Sequence, residues 1–196
     1  VYVVDKRQEL YFTQVFRCAR KTKLVMPETE LHFVGFGTMN GKDGKPFKTR
    51  QGGVPRLENL ISEIDEQMYN RIKEGNQDIA EAEARKTAHQ VALSAIKYGG
   101  LSNQPSKDYV FDIEKFTSFE GDTGPYILYT MVRIKSILNK YELEGKSAKE
   151  ALLNVAASDT EKTLMLQLTK FADSIESASR ELMPNRICAY IYELSN

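Results

Sequence analysis

The chain has 196 residues, long enough for one or two domains with real cores. It carries 27 Lys and Arg against 27 Asp and Glu, so a generic polycation for nucleic acid is excluded and any basic site must be local. Its longest apolar run is far short of the ~20 residues that a membrane helix needs.

The first eight residues, "VYVVDKRQ", open on four consecutive apolar side chains, the pattern of a strand buried on both faces. "RQELYFTQVFRCARKT" follows, with Leu10, Val15, Cys18 and Ala19 at mixed helical spacing. A strand running into a short helix is half of a βαβ unit. Cys18 and Cys188 lie far apart, each in an apolar stretch, with no CxxC and no His/Cys cluster. They read as two buried thiols in a reducing compartment, with no metal site and no disulfide-linked partner. "LHFVGFGTM" is a second short strand that leads into a glycine-rich loop.

"PRLENLISEIDEQMYNRIKEG" places Leu57, Leu60, Ile61, Ile64, Met68 and Ile72 on one helical stripe, with Gly75 just past the end. The next helix, "DIAEAEARKTAHQVALSAIKYGG", carries a stripe rich in alanine, which implies close helix approach. His89 within it is assigned no role. Thr123 can cap a helix with Pro125 in its first turn and Ile127, Met131, Ile134 and Leu138 as its core face. Ser147–Glu150 and Ser158–Glu161 both read as capping boxes. Leu164, Leu168, Phe171 and Ile175 form a further core stripe. A last helix starts near Pro184, with Ile187, Tyr190, Ile191 and Leu194 at helical spacing. The expected architecture is an α/β remnant followed by a helical bundle, predominantly α overall. The boundary falls near 115–120, dividing 1–117 from 118–196. The abrupt ends make the chain read as an internal piece of a longer protein.

The loop "MNGKDGKPFKTRQGG" combines four glycines with Lys42, Lys45, Lys48 and Arg50. It is not a P-loop: Gly37 and Gly41 are separated by three residues where that motif has four, and Asp43 stands where a Mg²⁺-binding hydroxyl belongs. Lysines on a glycine-rich loop can still close over a polyphosphate and neutralise charge on a leaving group. A solvated charged hairpin is the alternative reading of the composition.

Three stretches carry a resemblance: "YVVDKRQELYFTQVF", "HFVGFGTMNGKDGKPFKTRQGG" and "AIKYGGLSNQPSKDYVFDIEKFTSFEGDTGPYILYTMVRIKSIL". Together they resemble arginyl-tRNA synthetase, a class I aminoacyl-tRNA synthetase. The first part is similar to the second half of its Rossmann-type catalytic domain, and the helical remainder to its anticodon-binding domain. The resemblance implies ATP-dependent activation of arginine and transfer to tRNA(Arg) in the cytoplasm, with Mg²⁺ accompanying ATP as part of the substrate complex. "PFKTR" stands where the class has KMSKS, but Pro46 replaces the first lysine and Thr49 the second. Lys45, Lys48 and Arg50 are therefore the catalytic candidates for contact with pyrophosphate, and Lys42 is a weaker ATP-binding one.

The resemblance further implies that Gln8 helps hold arginine, and that His32, Phe33 and Met39 border adenine. Strand and core packing is the alternative for those three. Tyr126, Tyr129 and Arg133 share a helix face roughly 130° from the core stripe by the 3.6-residue period. An aromatic and guanidinium face suits unpaired bases, and "GPYILYTMVR" resembles the family's anticodon-contacting helix, with Leu128 in place of a common glutamine. Burial of both tyrosines inside the bundle is the alternative. The second class I signature, HIGH, is absent, so this piece alone is expected to be inactive. The competing function is a non-catalytic helical RNA-binding module. A HIGH motif in sequence upstream of Val1 would decide for an enzyme.

Overall fold

The computed structural model describes residues 1–42, 44–45, 57–147, 152 and 154–196. The chain divides into two compact units, Val1–Val54 with Asn103–Asp112, and Pro55–Ser102 with Ile113–Asn196.

The first unit opens with β1 (Tyr2–Asp5), a 3-10 turn at Lys6–Gln8, α1 (Glu9–Lys21) and β2 (Phe33–Phe36). β1 and β2 are parallel, in register from Tyr2↔Phe33 to Asp5↔Phe36. The half βαβ unit read from the sequence is thus completed by the second strand into a strand–helix–strand crossover. α1 covers one face of the pair through rings: Phe12 lies 5.3 Å from Tyr2 and 5.7 Å from Phe33, and Phe16 lies 5.2 Å from Tyr2, centroid to centroid. The four apolar residues at the start are not buried on both faces as expected, since Val3 is 62% exposed. Successive strand residues point to opposite faces, so Val3 lies on the face away from the Tyr2–Phe12–Phe16 cluster. Cys18 is exposed, not buried. It sits about 140° round α1 from the Phe12/Phe16 direction, on the helix's outer side. Two short strands complete the unit: β3 (Met39–Asn40) pairs in parallel with β4 (Tyr109–Val110).

In the second unit, α2 (Leu57–Gly75) packs on α3 (Glu81–Leu101). Large side chains of α2 meet small ones of α3. Leu60, Ile64 and Met68 are buried against a groove lined by Ala84, Ala88, Ala92 and Ala95, which is the close approach that the alanine stripe implied. Leu57, the first residue of the predicted α2 stripe, is exposed at the helix end. Gly75 is the last helical residue, not the one after it, and the Asn76 N–H closes the end by donating to the Ile72 carbonyl at 2.9 Å. On the surface, the Arg85 guanidinium lies 3.6 Å from the Tyr69 ring centroid and donates to Glu66 at 2.6 Å, joining the two helices.

A short helix α4 (Ile113–Phe116) precedes α5 (Gly124–Leu143). Thr123 caps α5 as predicted: Oγ1 accepts the Tyr126 N–H at 3.2 Å and donates to the Ser118 carbonyl at 2.6 Å. The predicted core face of α5 is corrected. Ile127 is half-buried, but Met131, Ile134 and Leu138 are exposed. Contacts of α5 with its neighbours come from its first turns, and from Met131 to Leu143 every residue is exposed.

α6 (Asp159–Thr169), α7 (Phe171–Glu181) and α8 (Asn185–Ser195) end the chain. Ser158 forms its capping box, with Oγ accepting the Glu161 N–H at 3.2 Å; Glu161 reaches one residue further back than usual, to the Ala157 N–H at 2.6 Å. The box predicted at Ser147–Glu150 lies outside the described residues. Helix breaks at Lys170, so Leu164, Leu168, Phe171 and Ile175 do not form one stripe, and all four are exposed. Pro184 is the cap residue of α8, not its first helical position, and Cys188 and Tyr190 are buried. The Tyr98 hydroxyl ties three elements of this unit, lying 2.5 Å from Asp122 Oδ1 and 3.0 Å from the Cys188 carbonyl. Burial pushes the phenol well above its ordinary pKa, and the Asp122 carboxylate adds to the shift.

Candidate functional site

Open parallel sheets bind ligands beyond the carboxyl ends of their strands, so the ends of β1 and β2 are the place to look. Asp5 ends β1. Its Oδ1 accepts the Arg7 N–H at 2.9 Å, and the Arg7 guanidinium donates to both carboxylate oxygens, at 2.9 and 2.5 Å. The Arg7 side-chain bond is the main reason its carboxyl is held down at about 2. This cap fixes the 3-10 turn that carries Lys6 and Gln8. Gln8 itself is exposed, and its side chain makes no cap bond to α1.

Past β2, Gly37 lies against the chain segment that leads to β4. Its N–H donates to the Pro105 carbonyl at 2.8 Å, and a Cβ there would fall 2.2 Å from the Lys107 carbonyl oxygen. Only glycine allows that approach. The Thr38 N–H donates to Asp108 Oδ1 at 2.7 Å, and the same oxygen accepts Lys6 Nζ at 2.8 Å. Lys6, then the Thr38 N–H, hold the Asp108 carboxyl below its usual range. Tyr109 N–H to Thr38 O at 3.1 Å and Phe111 N–H to Asn40 O at 2.9 Å complete the stitching of β4 to β3.

The basic loop begins directly after β3. Lys42 Nζ lies 3.3 Å from Asp112, just past β4. Gly41 and Gly44 form a tight turn: the Gly44 N–H donates to the Gly41 carbonyl at 2.9 Å, the Gly41 N–H to the Lys45 carbonyl at 3.0 Å, and Gly44 has φ of +72°. Lys48 and Arg50, two of the predicted catalytic cations, lie outside the described residues.

The three predicted adenine neighbours separate. Met39, half-buried on β3, lies past the carboxyl end of β2. His32 and Phe33 stand at its amino end. The His32 carbonyl accepts the Tyr2 N–H at 2.8 Å and its ring Nε2 meets Glu30 at 2.9 Å, while the Phe33 ring joins the α1 cluster. The first is a contact of strand pairing, the second lies on the surface, and the third belongs to the core of the unit.

Sequence reasoning overlooked Lys6, Asp108 and Asp112. Lys6 and Asp108 are 102 residues apart, and no local pattern connects them. Asn40 was also passed over; its Oδ1 is buried without a hydrogen-bond partner among the described residues.

In the helical unit, Tyr129 is 50% exposed and the Arg133 guanidinium lies 5.7 Å from its ring centroid. Tyr126 departs from the expected exposed face. It is half-buried, its ring 6.0 Å from that of Tyr192, and its hydroxyl lies 3.1 Å from both the Ser195 carbonyl and Asn196 Oδ1. Leu128 is half-buried beside it.

Comparison with known proteins decides between the readings that this geometry leaves. Residues 1–113, more than half of the chain, match the family model of tRNA synthetases class I (R), catalytic domain. The chain belongs to the class I arginyl-tRNA synthetases. Residues 127–196 match a second model, the DALR anticodon binding domain. All of the chain aligns with the arginine–tRNA ligase of Agathobacter rectalis at 61% identity, covering 34% of that protein. The arginine–tRNA ligase of Alkaliphilus oremlandii is 56% identical over all of this chain and 33% of its own. The chain thus spans about a third of the length of the curated relatives it matches. Among solved structures, the Plasmodium falciparum arginyl-tRNA synthetase superposes with a TM-score of 0.74 at 25% identity, over 99% of this chain and 32% of that one. The Thermus thermophilus arginyl-tRNA synthetase gives 0.68 at 26% identity, over 84% and 26%. The predominantly helical architecture is that of this family.

Proposed function

We propose that this chain works as the pyrophosphate-side and anticodon-side part of a cytoplasmic arginine–tRNA ligase. The supporting observation is the ordered match of a catalytic and an anticodon-binding model along one chain that aligns throughout with arginine–tRNA ligases. Residues 1–117 serve the nucleotide and amino acid, and 118–196 serve tRNA. In the reaction the arginine carboxylate attacks the α-phosphate of ATP, brought as its Mg²⁺ complex, and pyrophosphate leaves. The arginyl group then passes to the terminal ribose of tRNA(Arg). No covalent enzyme intermediate forms, so catalysis is positioning plus stabilisation of phosphate charge.

Gln8, at the carboxyl end of β1, holds the amino acid. Met39 borders adenine from β3, while His32 and Phe33 stand at the far end of β2, where they pair with β1 and pack on α1. Lys42, Lys45, Lys48 and Arg50 supply the positive field for the departing pyrophosphate. Lys42 must exchange Asp112 for phosphate when ATP arrives. On α5, Tyr129 and Arg133 meet the anticodon stem-loop, and Tyr126 supports them by anchoring α5 to α8.

The test is arginine-dependent ATP–pyrophosphate exchange, with and without tRNA(Arg), by the full-length protein carrying this segment. Lys48→Ala or Arg50→Ala should slow exchange on the order of 10²–10³, with arginine affinity changed far less. Equal losses in rate and arginine affinity would refute the charge-stabilising role of the loop.

A further inference from the structure

One carboxylate oxygen joins two parts of the first unit that the proposed reaction must keep in register. Asp108 Oδ1 accepts Lys6 Nζ at 2.8 Å, and Lys6 opens the 3-10 turn that ends at Gln8. It also accepts the Thr38 N–H at 2.7 Å, and Thr38 is followed at once by Met39 on β3. Lys6 is held from a second direction, because Nζ lies 3.3 Å from the Ser106 carbonyl. Nearby main-chain bonds, Gly37 to Pro105 and Tyr109 to Thr38, keep the Asp108 segment in place whichever way its side chain points. The turn with Gln8 and the strand with Met39 are thus linked to each other through Asp108.

From this we infer that Asp108 is a positioning residue, which aligns the arginine-holding turn at Lys6–Gln8 with the adenine-bordering strand β3, which begins just after Thr38. The inference rests on the arginine–tRNA ligase reading above. Its physical weight is in orientation. The Lys6–Asp108 pair is half-exposed, with side-chain exposures of 40% and 48%, and a pair of that kind contributes little to folding. Attack of one bound substrate on another depends far more steeply on placement, and a shift of about 1 Å can cost on the order of 10²-fold in rate. Charge does the aligning on the Lys6 side. On the Thr38 side any acceptor in the same place suffices.

Three substitutions separate these contributions. Asp108→Ala removes both bonds. Asp108→Asn keeps an oxygen for the Thr38 N–H but gives up the charge, and Lys6→Met removes the ion pair alone. The readout is the single-turnover rate constant of arginyl-adenylate formation, measured with tRNA(Arg) present, in the full-length ligase carrying this segment. That constant does not depend on what fraction of the enzyme is folded. Asp108→Ala is expected to lower it roughly 10- to 100-fold. Asp108→Asn and Lys6→Met are expected to recover a good part of the loss and to resemble one another. A second readout needs no activity: amide hydrogen exchange at Thr38 in the 196-residue chain should speed up in Asp108→Ala and stay slow in Asp108→Asn. A rate constant for Asp108→Ala within about twofold of the unsubstituted enzyme would overturn the positioning role, as would Asp108→Asn as slow as Asp108→Ala. If the unsubstituted full-length protein formed no adenylate with tRNA(Arg) present, the ligase reading would fail and the alignment role with it, whatever the protection at Thr38.

Discussion

Gly124→Ala sets two effects of opposite sign against each other. Gly124 is the first residue of α5, and alanine is the better helix former by about 0.8–1 kcal/mol in a helix interior. Propensity alone therefore predicts a small gain. The structure predicts a loss. A Cβ at 124 would lie 2.2 Å from the Ser94 carbonyl oxygen, 2.5 Å from its carbon and 3.0 Å from the Ala95 nitrogen. These are backbone atoms of α3, whose other face is locked into α2 by Ile64, Met68 and the buried alanines. No side-chain rotation relieves the contact, so the start of α5 must lift off α3. Overpacking of a tight interface costs about 1–3 kcal/mol, and backbone on backbone belongs at the upper end. Net destabilisation should be about 1–2 kcal/mol after the propensity gain. Urea unfolding followed by far-ultraviolet circular dichroism should show a lower midpoint with an unchanged slope. Thr123 and Asp122, which depend on the same turn, should exchange their amide protons faster. A midpoint equal to or above that of the unsubstituted chain would refute the claim that α3 and α5 are in backbone contact.

Other predictions concern the two candidate sites and pH. In the full-length ligase, Tyr129→Ala should weaken tRNA(Arg) binding tenfold or more, since one stacked base is worth ~1–3 kcal/mol. Arg133→Ala should weaken it and flatten its salt dependence, measured by filter binding across ionic strength. Tyr126→Phe should lower the thermal midpoint of the chain while changing tRNA affinity little, because its hydroxyl bonds to Ser195 and Asn196. Asp5 contributes stability that is complete above the ordinary carboxylate value of 3.8 and is lost as pH falls through about 2. Amide exchange across β1 should therefore speed up over that window, and Asp5→Asn should remove the dependence.

The sequence made legible whatever is local. The strand and helix at β1–α1, the cap at Thr123, the box at Ser158 and the alanine groove of α3 follow from local spacing, whereas the pairing of β1 with β2 joins segments far apart in the chain. Burial was less legible because it depends on what lies opposite. Met131, Ile134 and Leu138 have the period of a core face, yet the buried and half-buried residues of α5 lie in its first turns. Leu164 to Ile175 have the same period, but the break at Lys170 turns the second half away from the first. On α5, face geometry expected Tyr126, Tyr129 and Arg133 on an outer face; Tyr129 and Arg133 are exposed, whereas Tyr126 is half-buried because its partners lie about 70 residues on. Asp108 gave no signal, since its importance comes from two contacts across the fold.

The most direct test of the central claim is a segment exchange. The matching third of the Agathobacter rectalis arginine–tRNA ligase, 61% identical to this chain, is replaced by these 196 residues, and charging of tRNA(Arg) with radiolabelled arginine is measured. The account predicts that the hybrid charges tRNA(Arg), that the 196-residue chain alone supports no arginine-dependent ATP–pyrophosphate exchange, and that Lys48→Ala in the hybrid abolishes most of the charging rate. A hybrid that folds and binds tRNA(Arg) but does not charge it would contradict the account.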